Sequence, residues 1–112
     1  MSFINKILKE ANNFELVHYT NLDAFDFIQK KGLTPTDKGN LGGGNYFWVS
    51  DILSEKDFNA DELTLRIKPE IITKYVDEEL LNEFDIGDEL TTNKIPTKHL
   101  EYLTNKGWKS FK

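Results

Sequence analysis

The spacing of apolar and polar positions changes several times along the chain, and each change marks an element. In "MSFINKILKEANN", Phe3, Ile4, Ile7 and Leu8 recur at helical spacing, which predicts an amphipathic helix over residues 1–13 docking on the rest. "FELVHY", from Phe14 to Tyr19, reads as a short strand. The helical period returns in "TNLDAFDFIQKKGLTP", where Leu22, Phe25 and Ile28 share a face. Thr20 or Asn21 offers that helix a cap, Lys30 and Lys31 suit its C-terminal dipole, and Gly32 ends it. A polar loop, "TPTDKGNLGGG", leads into a second strand, "NYFWVS". Ser54 and Asp57, three residues apart, predict a capped turn over "SEKDF". "DELTLRIK" alternates Leu63, Leu65 and Ile67 with Glu62, Thr64 and Arg66, the period of a strand with one buried face. Pro69 suits the first position of a helix over "PEIITKYVDEELLNEF". A strand over "DELTTNKI", a helical turn over "PTKHLEYL" and a terminal strand over "GWKSF" complete the expectation.

These strands are not each followed by a long crossover helix, so the pattern predicts an α+β fold rather than a doubly wound α/β sheet. At 112 residues, without repeat or linker, the chain reads as a single domain, residues 1–112. No cysteine is present, which excludes a disulfide framework, thiolate chemistry and a cysteine metal site. The first residues lack the apolar stretch of a signal peptide, and no segment is long enough to span a membrane, so a cytoplasmic protein is expected. The net charge is −5, with Arg66 the only arginine. A duplex-binding protein needs a phosphate-neutralising face, so sequence-specific duplex DNA binding is not expected. The acidic residues are spread evenly, which argues against nucleic-acid mimicry.

The stretch "LGGGNYFWVSD", Leu41 to Asp51, sets three glycines before a run of aromatics. Glycine lets backbone approach a neighbour or ligand closely. The glycines precede a strand instead of joining strand to helix, so this is not a dinucleotide-binding fingerprint of the Rossmann kind. Two histidines far apart, His18 and His99, make a poor metal shell, and no metal is expected.

Three pieces in order, "LVHYTNLDAFDFIQKKGLTP", "GGGNYFWVSDILSEKDF" and "GDELTTNKIPTKHLEYL", resemble the ADP-ribosyltransferase superfamily. The branch is that of diphtheria toxin and the poly(ADP-ribose) polymerases, which uses a His–Tyr–Glu triad, one residue from each of three strands. The family's first strand ends His-Gly-Ser, followed by a helix and Gly-Leu; here stand His18-Tyr19-Thr20 and Gly32-Leu33. Its second piece, Gly-x-Gly-x-Tyr-Phe with a serine eight residues after the Tyr, matches Gly42, Gly44, Tyr46, Phe47 and Ser54. Its glutamate matches Glu89. The resemblance spans Leu16 to Leu103 and implies split antiparallel β-sheets flanked by short helices.

It also implies chemistry. NAD would be the substrate, cleaved between nicotinamide and ribose, with Glu89 stabilising the developing oxocarbenium charge. His18 would hold the adenosine ribose and Tyr46 would stack on nicotinamide. Tyr19, through its backbone, and Thr20, Gly44, Phe47 and Ser54 complete the implied cofactor-binding set. Tyr19 replaces the family's glycine and would crowd the nicotinamide ring; Thr20 and Ser54 also suit plain helix caps. Gly87 stands two residues before Glu89, so the Glu-x-Glu signature of arginine-modifying members is absent. The short Tyr46–Glu89 interval implies mono- rather than poly-ADP-ribosylation of a macromolecular acceptor, protein or nucleic acid. Compact members of this kind act as bacterial or phage toxins and effectors, some in a host cytoplasm. The alternatives are a catalytically inactive binding or inhibitor protein on the same scaffold, and an NAD glycohydrolase.

Overall fold

The computed structural model describes residues 14–35 and 44–111. The expected helix over residues 1–13, and Gly42 with the rest of residues 36–43, lie outside the described residues. Six strands form one antiparallel sheet: β1 (Glu15–Thr20), β2 (Asn45–Ser50), β3 (Leu63–Ile67), β4 (Glu89–Thr92), β5 (Leu100–Thr104) and β6 (Gly107–Ser110). Their lateral order is β4-β2-β1-β3-β5-β6, one sheet where the resemblance implies split sheets, so the chain is an α+β domain with its first strand near the middle. Two short helices accompany it, α1 (Phe25–Lys31) and α2 (Glu78–Leu81).

Period-2 alternation decides which face each strand buries. Leu16, Phe47, Val49, Leu65, Ile67 and Leu100 form the core side of the sheet, with Phe47, Leu16, Leu65 and Leu100 fully buried. Ile28 of α1, Leu33, Ile72, Val76, Leu81 and Ile95 cover them. The opposite face is held by charge. Glu15 is 2% exposed and accepts hydrogen bonds from the Arg66 guanidinium and from the backbone N–H of Leu53, the latter at 2.8 Å. Arg66 also donates to Glu101 at 2.9 Å and lies 4.6 Å above the Trp108 ring. The Trp108 indole N–H donates to the Leu53 carbonyl at 3.1 Å. Glu15 and Trp108 therefore hold both polar groups of Leu53 and pin the β2–β3 connection across this face.

Several local expectations change in the folded chain. The first helix begins as a 3₁₀ turn, Leu22–Ala24, before α1, and neither Thr20 nor Asn21 caps it with a side chain. "PEIITKYVDEELLNEF" is not one helix. It folds as a 3₁₀ segment, Pro69–Lys74, and then the single turn α2. The β-branched run Ile71-Ile72-Thr73 loses rotamer freedom in an α-helix, and Ile72 and Val76 are held in the core instead. "PTKHLEYL" is helical only over Thr97–His99; Leu100 to Tyr102 pair with β3, which places the buried Leu100 on the core side. The capping box at Ser54 and Asp57 is present as expected, with Ser54 N–H donating to Asp57 at 2.9 Å.

Gly32 and Gly107 both adopt positive φ, 79° and 103°, but in different surroundings. A Cβ at Gly32 would sit 2.5 Å from the Ile95 carbonyl oxygen, whereas nothing lies within 4 Å of one at Gly107. Gly32→Ala is expected to cost at least about 2 kcal/mol, backbone strain plus a displaced Ile95 carbonyl, and Gly107→Ala about 1 kcal/mol. Urea midpoints of the two variants check the difference; equal losses would show that the Ile95 contact is immaterial. Glu15→Ala leaves Arg66 and the Leu53 N–H without their acceptor and is expected to lose about 3 kcal/mol. Glu15→Gln, which keeps an acceptor, is expected to lose less in the same measurement.

Candidate functional site

The place where β1 leaves β2 is the feature of interest. These strands pair from Glu15↔Ser50 to Val17↔Trp48, after which β1 continues against β3 as far as Thr20↔Leu63. Beyond Val17 the His18 ring reaches across, and its Nδ1 lies 2.6 Å from the Tyr46 carbonyl oxygen. A carbonyl accepts only, so Nδ1 carries the proton and Nε2 is left as a bare acceptor. Burial holds His18 below its ordinary pKa, partly offset by this bond. The ring also packs on Phe47, centroids 5.5 Å apart, which fixes its orientation.

The gap opens into a cleft of about 200 Å³. His18, Thr20, Gly44, Asn45 and Tyr46 line its sheet side, and Phe27 and Ile28 of α1 line the other. Its floor is Gly32 and Leu33, fastened by Leu33 and Ile95, which exchange backbone hydrogen bonds of 2.9 and 3.0 Å. Asn45, buried at 3% exposure, donates to the carbonyls of Leu33 at 2.9 Å and Asn93 at 3.0 Å, tying both flanking segments to β2. Gly44 takes φ 110°, and a Cβ there would press on the Thr91 side chain at 3.1 Å, so the backbone enters β2 by a route open to glycine.

The residues singled out in the sequence separate into two groups. His18, Thr20, Gly44 and Tyr46 border the cleft. The other four lie elsewhere, each for a physical reason. Phe47 alternates to the core side and is fully buried, so it supports the His18 ring and meets no ligand. Tyr19 pairs with Thr64, not with the Leu65 position that His18 faces, so its side chain leaves by the opposite face and does not fill the cleft. There burial, Glu62 and Asp57 raise its pKa. Ser54 caps the Glu55–Asp57 turn, accepting from the Lys56 N–H at 3.3 Å, and is committed to that role. Glu89 is exposed and sits opposite Trp48, on the face of the sheet away from Phe47 and Leu90. Tyr46 alternates to that same face, with Glu89 its diagonal cross-strand neighbour. His18 and the Tyr46–Glu89 pair thus approach the β1–β2 gap from opposite faces, and Glu89 does not line the cleft.

Asn45, Phe27 and Thr34 line the cleft without having been singled out in the sequence. Asn45 carried a signal: asparagine is depleted in strands, and one inside an aromatic strand argues for a dedicated polar task. Among the described residues no cluster of His, Asp and Glu able to hold a metal occurs, and no helix is long and apolar enough to cross a membrane. Comparison with protein-family models, with curated proteins and with solved structures finds no match.

The lowered pKa of His18 sets a pH dependence. Its neutral form is favoured by folding, so the unfolded chain binds the proton more readily. Stability is then complete above the ordinary histidine value of 6.5 and falls as pH drops below it. His99 is lowered too and adds to the same trend. His18→Gln is expected to flatten the decline of the urea midpoint between neutral and mildly acidic pH. A slope identical to that of the parent would show that His18 titrates alike in both states.

Proposed function

We propose that the cleft binds NAD and that the chain is a small mono-ADP-ribosyltransferase, built on the ADP-ribosyltransferase-like version of this α+β sheet. The observation that carries the reading is the adjacency of β4, β2 and β1, which bring Glu89, Tyr46 and His18 to three neighbouring strands. The resemblance calls for one such residue on each of three strands and for all three to meet in one cleft; the strands are neighbours, but Glu89 stands on the other face of the sheet. The split between β1 and β2 falls beside His18, at the point where a flat ligand group can enter between the strands.

The cleft volume of about 200 Å³ is below the range for a whole drug-sized ligand, so it takes one nucleoside half of the dinucleotide. The bare Nε2 of His18 accepts from a ribose hydroxyl, and Thr20 offers a second hydroxyl nearby. Glu89 stands outside the cleft on the other face of the sheet, so its carboxylate meets the positive charge that develops on the other ribose only where the dinucleotide extends through the β1–β2 gap. The bond between ribose C1′ and the nicotinamide nitrogen breaks, its electron pair leaves with nicotinamide, and an acceptor nucleophile attacks C1′ and gives up a proton. The acceptor is a macromolecule, with water in its place in the glycohydrolase variant.

The exposed position of Glu89 on the far face favours a second reading, a binding or inhibitor module that holds NAD or a related nucleotide without cleaving it. Nicotinamide release from NAD, with and without a cell lysate as acceptor source, separates the two. The transferase reading expects release that Glu89→Ala lowers by about 100-fold or more, the order of one lost electrostatic contact in a transition state. His18→Ala is expected to weaken NAD binding. Binding without release supports the module, and neither binding nor release ends both readings.

A further inference from the structure

Among the described residues, positive charge gathers around His99, outside the cleft. The turn Thr97–His99 packs beside the Pro69–Lys74 segment: the Lys68 N–H donates to the His99 carbonyl at 3.0 Å, and the Tyr75 hydroxyl bonds His99 Nδ1. The Tyr75 and His99 rings meet edge-on, centroids 5.7 Å apart. Lys68, Lys74 and Lys98 all lie near enough to the imidazole to depress its basicity, after burial, the largest cause. None of the three makes a salt bridge among the described residues, where the ion pairs are those of Arg66. Glu70 is the acidic residue in the first turn of the neighbouring segment.

The charge at this place favours an anion. The Tyr75 hydroxyl and His99 Nδ1 share a hydrogen bond, and burial raises the Tyr75 pKa. Three ammonium groups suit a phosphate, whose oxygens accept from several donors at once. The position suits an extended ligand. Thr97 donates to the Ile28 carbonyl at 2.6 Å, so the turn is fastened to the C-terminal end of α1, where Lys30 and Lys31 add charge.

We propose that Lys68, Lys74 and Lys98, gathered about the Tyr75–His99 pair, form a phosphate-binding patch that engages the phosphodiester backbone of a single-stranded nucleic acid without reading its sequence. The patch and the NAD cleft share the 95–99 segment, because Ile95 pairs with the cleft's Leu33. The patch does not rest on the cleft's reading, and the two are tested apart.

The test is fluorescence anisotropy of a labelled oligothymidylate at about 50 and 200 mM salt, with inorganic phosphate and polyglutamate as competitors. Three neutralised phosphates on a single strand give a log–log salt slope of about −2, so affinity is expected to fall about 20-fold between those salts. Lys74→Ala with Lys98→Ala removes two exposed side chains and is expected to reduce the slope by about 1.4. Unchanged circular dichroism guards against unfolding, and His18→Ala is expected to leave oligonucleotide binding intact. Binding of inorganic phosphate by calorimetry with no oligonucleotide binding, lost in the lysine variant, would overturn the nucleic-acid proposal and assign the patch to a small anion. No binding of either, a slope the lysine variant does not change, or equal competition by polyglutamate would overturn the proposal.

Discussion

The cleft depends on one hydrogen bond, from the His18 ring to the carbonyl of Tyr46. A strand in mid-sheet normally satisfies its backbone against a neighbour on each side along its whole length. Here β1 does so against β3 to its end, but against β2 only as far as Val17. By giving the Tyr46 carbonyl an imidazole donor, the chain lets β2 separate from β1 without leaving a buried acceptor unpaired, a cost of order 1–3 kcal/mol. The packing of His18 on Phe47 makes that substitution rigid. The same side chain opens the gap and, through its second nitrogen, presents a polar group to whatever enters it.

The two faces of the sheet are secured by different means. The core face relies on aliphatic burial under α1 and the 69–81 segment. The opposite face uses Glu15, Arg66, Glu101 and Trp108, a set whose members satisfy one another and the Leu53 backbone. This second arrangement fixes the β2–β3 connection, so the start of β3 and the end of β2 cannot shift independently. Register in β1 is thereby held from both sides. Because side chains alternate, a slip of one residue would carry His18 to the face that Tyr19 now occupies.

Much of this was legible in the sequence. The period-2 runs at Leu63–Ile67 and Asn45–Ser50, the glycine stop at Gly32 and the Ser54–Asp57 capping box follow from local chemistry and appear in the structure. The failures came where tertiary contacts outweighed local preference. "HLEYL" has a helical look but serves as a sheet strand because β3 offers it a partner. The 69–84 region splits because Ile72, Val76 and Leu81 must all reach one core. For the site, spacing identified the strands but not the faces. Placing Tyr46 and Glu89 on one side and the His18 ring on the other required the registers of β1, β2 and β4, which no single-chain pattern contains.

The strand order has a further consequence, for assembly of the chain. β5 and β6 join through a tight turn, Thr104 to Gly107, and can pair with almost no loop-closure cost. β1 instead meets β3 through pairs such as Val17↔Arg66, which enclose nearly half the chain, and it sits beside β2 with the whole of α1 between them in the sequence. The strand that carries His18 is therefore held in the sheet by its most non-local pairing, one whose chain entropy is hard to offset and whose formation topology delays. A partly folded chain retaining the β5–β6 hairpin would have no cleft, so occupancy of the cleft would report on completion of the whole fold.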